Sequence, residues 1–396
     1  DLSFRATVTR ILSPRVYAVV TQPDQKIIVG GEFESFAGCA RRNIARINAD
    51  GSCDTTFDPG LGLTIVYQNF IGQIVAGTHR VDLPAKALAL QADGKILVGV
   101  AGHSGFRNGV RTSSEILVRL NADGSLDSSF DARTLNAGNG FSSVLAIAIQ
   151  PDGQILVGGA FLYDNGKIRF GSSYKDGQIA RLNPNGSLDP SFVVPDGSSY
   201  GGPNSGVNAI ALQTDGKIVI GGSFREVGFT PRHALARLNA DGSVDPGYNA
   251  EDPSTGRSAS GISFASIVFG LAVQSDGKVL VAGGLLSVDF NQNASLIRVD
   301  AAGSRDASFT DWRASSGAIV ALALQTDQKV VVGGDFRITT PALRGSLARL
   351  NADGSLDLTF DTPGARIDFT PLHSSRNVFA ITLHAAGKIV VAGTFD

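Results

Sequence analysis

Opposite charges recur at a fixed spacing of eight residues and are the first candidates for chemistry in this sequence. In each pair an arginine precedes, and an aspartate follows, a short polar segment that contains Gly-Ser. A ligand site needs its charges in one place, whereas a repeated fold needs its bridge in every copy. We therefore interpret the charges as structural pairs rather than as a ligand site. The pairs are Arg46 and Asp54, Arg119 and Asp127, Arg181 and Asp189, Arg237 and Asp245, Arg298 and Asp306, and Arg349 and Asp357.

The same polar segments suggest calcium, because residues 48–54 place oxygen-bearing side chains at alternate positions. An Asx-turn already uses the asparagine, the arginine partner uses the last aspartate, and the segment lacks the terminal Glu of an EF-hand loop. We interpret these segments as plain turns and predict no cofactor. The five histidines show no zinc-ligand spacing, and the sequence has no nucleophile elbow or phosphate-binding glycine loop. We predict no metal site and no catalytic residue.

Short β-rich runs separated by turn residues must position these charges. Asn239-Ala240-Asp241-Gly242 has the pattern of a type I turn closed by a left-handed glycine, which makes a three-residue hairpin loop. That loop places Leu238 opposite Val244 and Arg237 opposite Asp245. Apolar side chains therefore face each other, and a positive charge faces a negative one. In this copy the predicted strands are 207–213, 217–224, 235–239 and 243–248.

The four-strand unit recurs along the chain with a mean step of about 60 residues, which indicates a solenoid or a propeller. The last copy stops after its second strand, and residues 1–4 match 357–360, the end of a unit. Two ends of one split repeat favour a closed ring. We predict an all-β fold, a single-domain, seven-bladed β-propeller over 1–396 whose N- and C-terminal strands share one blade. The approximate blades are 16–58, 86–131, 144–192, 207–248, 268–309, 319–360, and 378–396 plus 1–4.

The seventh blade has no segment that matches a third strand. Three outcomes stay open: a three-stranded blade, a strand left behind when the segment was cut from a longer protein, or a strand from another copy. The last outcome would give a homo-oligomer or a filament.

The repeated motifs LQxDGKILVGGxF and IARLNADGSLDxSF resemble the delta-60 repeat of bacterial, often secreted, proteins. The order of hairpin, Gly-Gly and hairpin also resembles a kelch blade. The tryptophan that kelch blades usually carry near the fourth strand is replaced here by Phe57, Phe130, Phe192, Tyr248, Phe309 and Phe360. The resemblance covers almost the whole chain and implies a β-propeller, but no settled activity.

Composition limits which classes of binding partner and which cellular compartment we expect. The net charge of −2 gives no reason to expect nucleic acid, and no apolar run is long enough to span a membrane. The chain begins with Asp and contains no methionine, so we expect a processed segment and an extracellular or cell-surface location. Cys39 follows the second strand and Cys53 lies at the far end of the third and fourth strands. We expect these cysteines to be too far apart for a disulfide.

Residues that are not repeated lie mostly in loops predicted to emerge on one face, as in scaffolds that carry a site. They are candidates for binding a protein or a polysaccharide. The aromatic candidates are Tyr67, Phe106, Tyr163, Phe170, Tyr174, Tyr200 and Trp312. We predict a non-catalytic extracellular scaffold. The alternatives are a carbohydrate-active enzyme that uses the loop face and a self-assembling filament subunit.

Overall fold

All named elements of the computed structural model are β-strands, in keeping with a sequence rich in Val, Ile and Gly-containing turns. The residues described are 8–9, 14–60, 83–107, 110–112, 116–132, 135, 140–162, 176–194, 206–228, 230–249, 251–252, 257–258, 266–289, 292–314, 316–338, 344–360, 377–384 and 387–394. The strands are β1 (Val8–Thr9), β2 (Arg15–Thr21), β3 (Ile27–Glu32), β4 (Ser35–Phe36), β5 (Ile44–Ile47), β6 (Ala85–Leu90), β7 (Ile96–Arg107), β8 (Val110–Thr112), β9 (Leu117–Leu120), β10 (Gly140–Ile149), β11 (Ile155–Leu162), β12 (Asp176–Leu182), β13 (Val207–Leu212), β14 (Ile218–Gly222), β15 (Glu226–Val227), β16 (Thr230–Pro231), β17 (Leu235–Leu238), β18 (Glu251–Asp252), β19 (Arg257–Ser258), β20 (Ile267–Val273), β21 (Val279–Asp289), β22 (Gln292–Val299), β23 (Ile319–Leu324), β24 (Val330–Ile338), β25 (Arg344–Leu350), β26 (Val378–Leu383) and β27 (Ile389–Gly393).

The chain divides into two units, Asp1–Pro190 and Ser191–Asp396. Each unit contains copies of one antiparallel sheet in which the strands follow chain order. The sheets of the first unit are β2-β3-β5, β6-β7-β9 and β10-β11-β12, and those of the second are β13-β14-β17, β20-β21-β22, β23-β24-β25 and β26-β27. In the first unit, Gly140–Ser143 of β10 also pairs with Ala101–Ser104 of β7, which joins the second and third repeats in one sheet.

The predicted hairpin between the third and fourth strands is confirmed. The fourth strand is reduced to a single bridge, in which Leu238 pairs with Val244. The amide of Asp245 donates to the carbonyl of Arg237 at 2.9 Å, and Gly242 has a φ of +90°. A left-handed glycine at that point lets the chain reverse without a Cβ clash. The corresponding bridges recur in five further repeats.

A β-bulge interrupts the first strand of every repeat. In β13, Val207 pairs with Gly222 and Ala209 pairs with Gly221, so Asn208 is left without a partner on β14. In the fourth repeat Gly222 allows a close approach of the two strands, because a Cβ there would collide with the carbonyl oxygen of Gly206, whereas the second repeat forms its bulge with Val100 at this position. The bulge residues are Tyr17, Lys86, Leu145, Asn208, Phe269, Val320 and Phe379.

The hydrophobic core lies between the sheets of successive repeats. In the second unit, Val219 and Tyr248 of one repeat pack in the same cluster as Val268 and Val279 of the next. All five residues of Ile218–Gly222 are buried, which explains why the second strand reads as a continuous apolar run rather than an alternating one. Each repeat therefore depends on its neighbour for a complete core.

Cys39 and Cys53 form a disulfide, with their Cα atoms 6.0 Å apart, so the expectation that they lie too far apart is wrong. The loop after β3 does not extend away from the sheet. Ala37 and Gly38 both have positive φ and reverse the chain, so that Phe36 bridges Cys39. Arg41 then donates to the carbonyl of Phe57, at the end of the fourth strand, at 3.0 Å. The disulfide is consistent with an oxidising compartment.

The sequence predicts no membrane-spanning segment. Among the residues that the structure describes, none forms a helix long and apolar enough to cross a bilayer.

Candidate binding site

The predicted Arg and Asp residues are in contact in six repeats, at the end of the sheet opposite the bulge. In the fourth repeat Arg237 Nη2 lies 2.9 Å from Asp245 Oδ2, and Lys217 Nζ lies 2.8 Å from the same oxygen. The other contacts from arginine Nε to aspartate Oδ2 measure 2.7 Å for Arg46 and Asp54, 2.8 Å for Arg119 and Asp127, 2.7 Å for Arg181 and Asp189, 2.8 Å for Arg298 and Asp306, and 2.8 Å for Arg349 and Asp357. We call these six carboxylates the fourth-strand aspartates.

Arg237 and three of its counterparts also hold the next repeat. Arg237 Nη1 donates to the carbonyl of Ala301 at 2.8 Å, and its guanidinium lies 4.3 Å from the centre of the Tyr248 ring. The turn that contains Ala301 completes the joint, because Asn249 donates its amide to the carbonyl of Ala302. The equivalent arginine bonds run from Arg46 to Ala122, from Arg119 to Pro184 and from Arg298 to Ala352. The arrangement joins strands and repeats and leaves little of either charge exposed.

Hydrogen bonds keep the fourth-strand aspartates ionised. Bonds from Lys95 and then from Ser129 hold the pKa of Asp127 well below its usual range, in spite of burial. Lys278 and Ser308 do the same for Asp306. The part of the chain that the structure describes contains no group of three His, Cys, Asp or Glu residues suited to a metal.

Most of the predicted aromatic binding residues lie outside the described residues: Tyr67, Tyr163, Phe170, Tyr174 and Tyr200. The backbone of Phe106 belongs to β7, but its side chain is not described. These six positions stay predictions.

Trp312 is a core residue and needs correction as a surface candidate. Its side chain is only 7% exposed and packs edge-on against Phe336, with ring centres 4.9 Å apart. Its amide donates to the carbonyl of Leu296, so the segment after the fifth repeat returns along β22 and turns the indole inward. The sequence showed an isolated tryptophan in a connecting segment but not this extra pairing.

The bulge residues vary in type from repeat to repeat, although the residues on either side of them are nearly constant. The residue before each bulge is aliphatic and the residue after it is Ala or Gly, whereas the bulge itself carries Tyr, Lys, Leu, Asn, Phe, Val or Phe. Each of these side chains is half-buried. Sequence reasoning missed the position because it treated the first strand as one partly alternating run. Variation within an otherwise uniform strand was the available signal.

Two bulge residues meet in the first unit and form the centre of a polar cluster. Lys86 Nζ lies 3.3 Å from the centre of the Tyr17 ring. The Tyr17 hydroxyl donates to Glu32 Oε2 at 3.4 Å, and Glu32 is the cross-strand partner of Arg15. We call Arg15, Tyr17, Glu32 and Lys86 the bulge cluster. Its donors, acceptor and aromatic ring could bind a polar ligand.

Burial shifts the pKa values of Lys86 and Tyr17. Desolvation lowers the pKa of Lys86 to about 8, with the Arg15 charge acting in the same direction and Glu32 against it. Desolvation also raises the pKa of Tyr17, so its hydroxyl stays protonated and able to donate. Shifted pKa values of this kind favour a binding or reactive site over a purely structural contact.

Comparison with known proteins identifies the repeat. The family described as a domain of unknown function (DUF5122) beta-propeller matches more than half of the chain, over residues 22–57, 91–130, 150–192, 213–248, 274–309 and 325–360. No curated protein matches the sequence.

Two solved structures show the same fold at low identity. Virginiamycin B lyase from Staphylococcus aureus, in a catalytically inactive form with quinupristin, is 12% identical with a TM-score of 0.50, over 98% of this chain and 95% of that one. The WD40 beta propeller domain of Doa1 is 13% identical with a TM-score of 0.51, over 99% and 93%. At this identity the likeness concerns the fold alone. The fold is an all-β propeller of six to seven repeated blades.

Proposed function

Because the chain belongs to the DUF5122 β-propeller family, we propose that it is a non-catalytic extracellular scaffold that binds a protein or a glycan. The single observation that carries the proposal is the pattern of the bulge residues. The charged pairs that recur in six repeats join strands, and four of their arginines also bond to the next repeat, whereas the bulge residues differ from repeat to repeat. A fold that keeps its joints constant and varies one displayed position is suited to recognition.

The extracellular location is supported by the disulfide between Cys39 and Cys53. Structural disulfides persist in oxidising compartments and are rare where thiols are kept reduced. The resemblance to delta-60 repeats of often secreted proteins agrees with this location.

The experiment is a binding screen against purified polysaccharides and extracellular proteins. We expect a partner whose binding is weakened at least tenfold by Tyr17→Ala or Phe269→Ala. The matched control is Leu126→Ala, which removes an apolar side chain that is 62% exposed and remote in the repeat from the bulge. Equal losses for the control and the bulge variants would contradict recognition through the bulge residues.

A carbohydrate-active enzyme is the alternative from another class. The same polysaccharides, incubated with the protein and assayed for new reducing ends, separate the two. Turnover that disappears when one carboxylate is replaced would overturn the non-catalytic proposal.

Self-assembly is a second candidate, favoured by the seventh sheet. Within the described residues β26 and β27 form a two-stranded sheet, and Ile389, Val390 and Val391 are half-buried. The equivalent residues of β14 are fully buried. A strand added from another copy would cover this edge. Size measured over a dilution series tests the idea, since a monomer at the highest concentration would remove it.

A further inference from the structure

Lys86 differs from the other lysines in its surroundings. The sequence contains nine lysines, of which six open the second strand of a repeat and two lie in the segment 163–175. Five of the strand-opening lysines make salt bridges of 2.8 Å to fourth-strand aspartates. Lys86 lies on a first strand, and among the described residues its amino group meets the Tyr17 ring and no carboxylate.

Glu32, the carboxylate whose charge acts on Lys86, already has partners. Glu32 accepts from the Tyr17 hydroxyl at 3.4 Å and stands opposite Arg15 in the pairing of β2 with β3. On the other side of β6, the first strand of the third repeat carries Leu145 at the bulge, which has no charge. Among the residues that the structure describes, the charged and titratable groups facing Lys86 are therefore Arg15, Tyr17 and Glu32, and these four residues together have a surplus of one positive charge.

A half-buried ammonium that lacks an anionic partner is a prepared site for an anion. The cost of removing water from the amine is already included in folding, so an arriving carboxylate gains the attraction without a second large desolvation of the amine. The exposed Arg15 offers a second cation with bidentate geometry. Together they can hold one carboxylate group between the first strands of two repeats.

Glu32 decides what the rest of the ligand should be. An acidic peptide would bring further carboxylates beside Glu32, and these would repel it. A sugar acid instead brings hydroxyl groups, which can donate to Glu32.

We propose that Arg15, Tyr17, Glu32 and Lys86 bind a hexuronate residue, with the cations on its carboxylate and Glu32 on its hydroxyls. The inference rests on the proposed binding function and names its ligand class. The site would recognise one uronate unit of an acidic polysaccharide.

The pH dependence of binding follows from the geometry together with the lowered pKa of Lys86, about 8. The ligand carboxylate needs the charged amine, which is about nine-tenths protonated at pH 7 and about one-tenth at pH 9. We expect affinity for oligogalacturonate to fall about tenfold over this range, with proton uptake on binding near pH 8. Tyr17 does not titrate there, since burial raises its pKa.

The experiment is calorimetric titration of the full chain with oligogalacturonate at pH 7 and pH 9. Lys86→Gln should weaken binding at pH 7 about tenfold and remove the pH dependence. Lys86→Arg should restore binding at pH 7 and keep it at pH 9, because the guanidinium stays charged. Arg225→Gln, which removes an exposed charge of the second unit, is the charge-matched control and should change nothing.

Several outcomes would overturn the inference. Oligogalacturonate bound equally well by Lys86→Gln would leave the scaffold function standing and remove this site. Polyglutamate bound as tightly as oligogalacturonate, or uncharged dextran bound equally, would refute the uronate class. No binding of oligogalacturonate by the unaltered protein would also refute it, while the wider screen could still support a scaffold. Thermal unfolding of each variant shows whether a loss reflects misfolding instead.

Discussion

Replacing Arg237 with alanine tests the interpretation of the repeated charges. The side chain makes three kinds of contact: a salt bridge of 2.9 Å to Asp245, a hydrogen bond of 2.8 Å to Ala301 of the next repeat, and a cation–π contact at 4.3 Å with Tyr248. Arg237 is 9% exposed and Asp245 is 8% exposed. The variant therefore removes one interior joint within a repeat and one between repeats.

The size of the stability loss depends on the groups that lose Arg237 as a partner. Removing one partner of a buried pair costs about 3 to 5 kcal/mol when the other charge is left alone. Here Asp245 keeps Lys217 at 2.8 Å and the amide of Gly247, so the lower end applies to the pair. The unsatisfied carbonyl of Ala301 adds about 1 kcal/mol. We expect Arg237→Ala to lower the free energy of unfolding by about 3 to 4 kcal/mol.

Chemical denaturation followed by circular dichroism measures the change. Arg225→Ala, an exposed arginine of the same repeat, is the control and should cost less than about 0.5 kcal/mol. Adding Asp245→Ala to Arg237→Ala should recover part of the loss, since the buried carboxylate is then absent and the Lys217 side chain, 34% exposed, can be solvated by water. A loss below about 1 kcal/mol, or strictly additive effects in the double variant, would refute the structural interpretation of the pair.

The remaining predictions use the same measurements. Replacing Cys39 and Cys53 together with serine should cost about 3 kcal/mol, as expected for a loop of this size, and a reducing agent should then have no further effect. Gly222→Ala should destabilise by about 3 kcal/mol, because its Cβ would collide with backbone; an unchanged unfolding midpoint would contradict the bulge geometry. The pKa values of the fourth-strand aspartates that are lowered on folding give stability that is full above about pH 4 and lost below it, so the melting temperature should fall between pH 4 and pH 2. With a pKa of about 8, Lys86 should be acetylated at pH 7 on the order of a hundredfold faster than a lysine with an ordinary pKa, as measured by peptide mass spectrometry.

Much of the fold was accessible from the sequence because local turn chemistry determines the register. Asn239 to Gly242 specifies the loop, the loop specifies that Leu238 faces Val244, and the same arithmetic holds in copy after copy. Hydrogen bonds within such a hairpin join residues that are close in sequence, so they can be predicted from residue spacing. The Arg237 contact with Asp245 belongs to this class, whereas its contact with Ala301 in the next repeat does not.

The errors concern segments that fold back over a sheet. Cys39 and Trp312 both lie in connections, and each is brought inward by a bridge to a neighbouring segment. Phe36 bridges Cys39 through two residues with positive φ, and Leu296 pairs with Trp312. The Phe36 bridge recurs between Val227 and Thr230 of the fourth repeat, but the pattern of the four strands predicts neither of these returns over the sheet.

The bulge explains how one position can vary without cost to the fold. Elsewhere in the first strand each residue faces a partner strand or the neighbouring repeat, and a change of size would disturb the core. The bulge residue has no partner on the second strand. Tyr17 and Lys86 can therefore differ from their counterparts while the joints of Arg46 and Asp54 stay the same. Where two such variable positions meet across neighbouring repeats, a scaffold built from one repeated unit can acquire a site that occurs once.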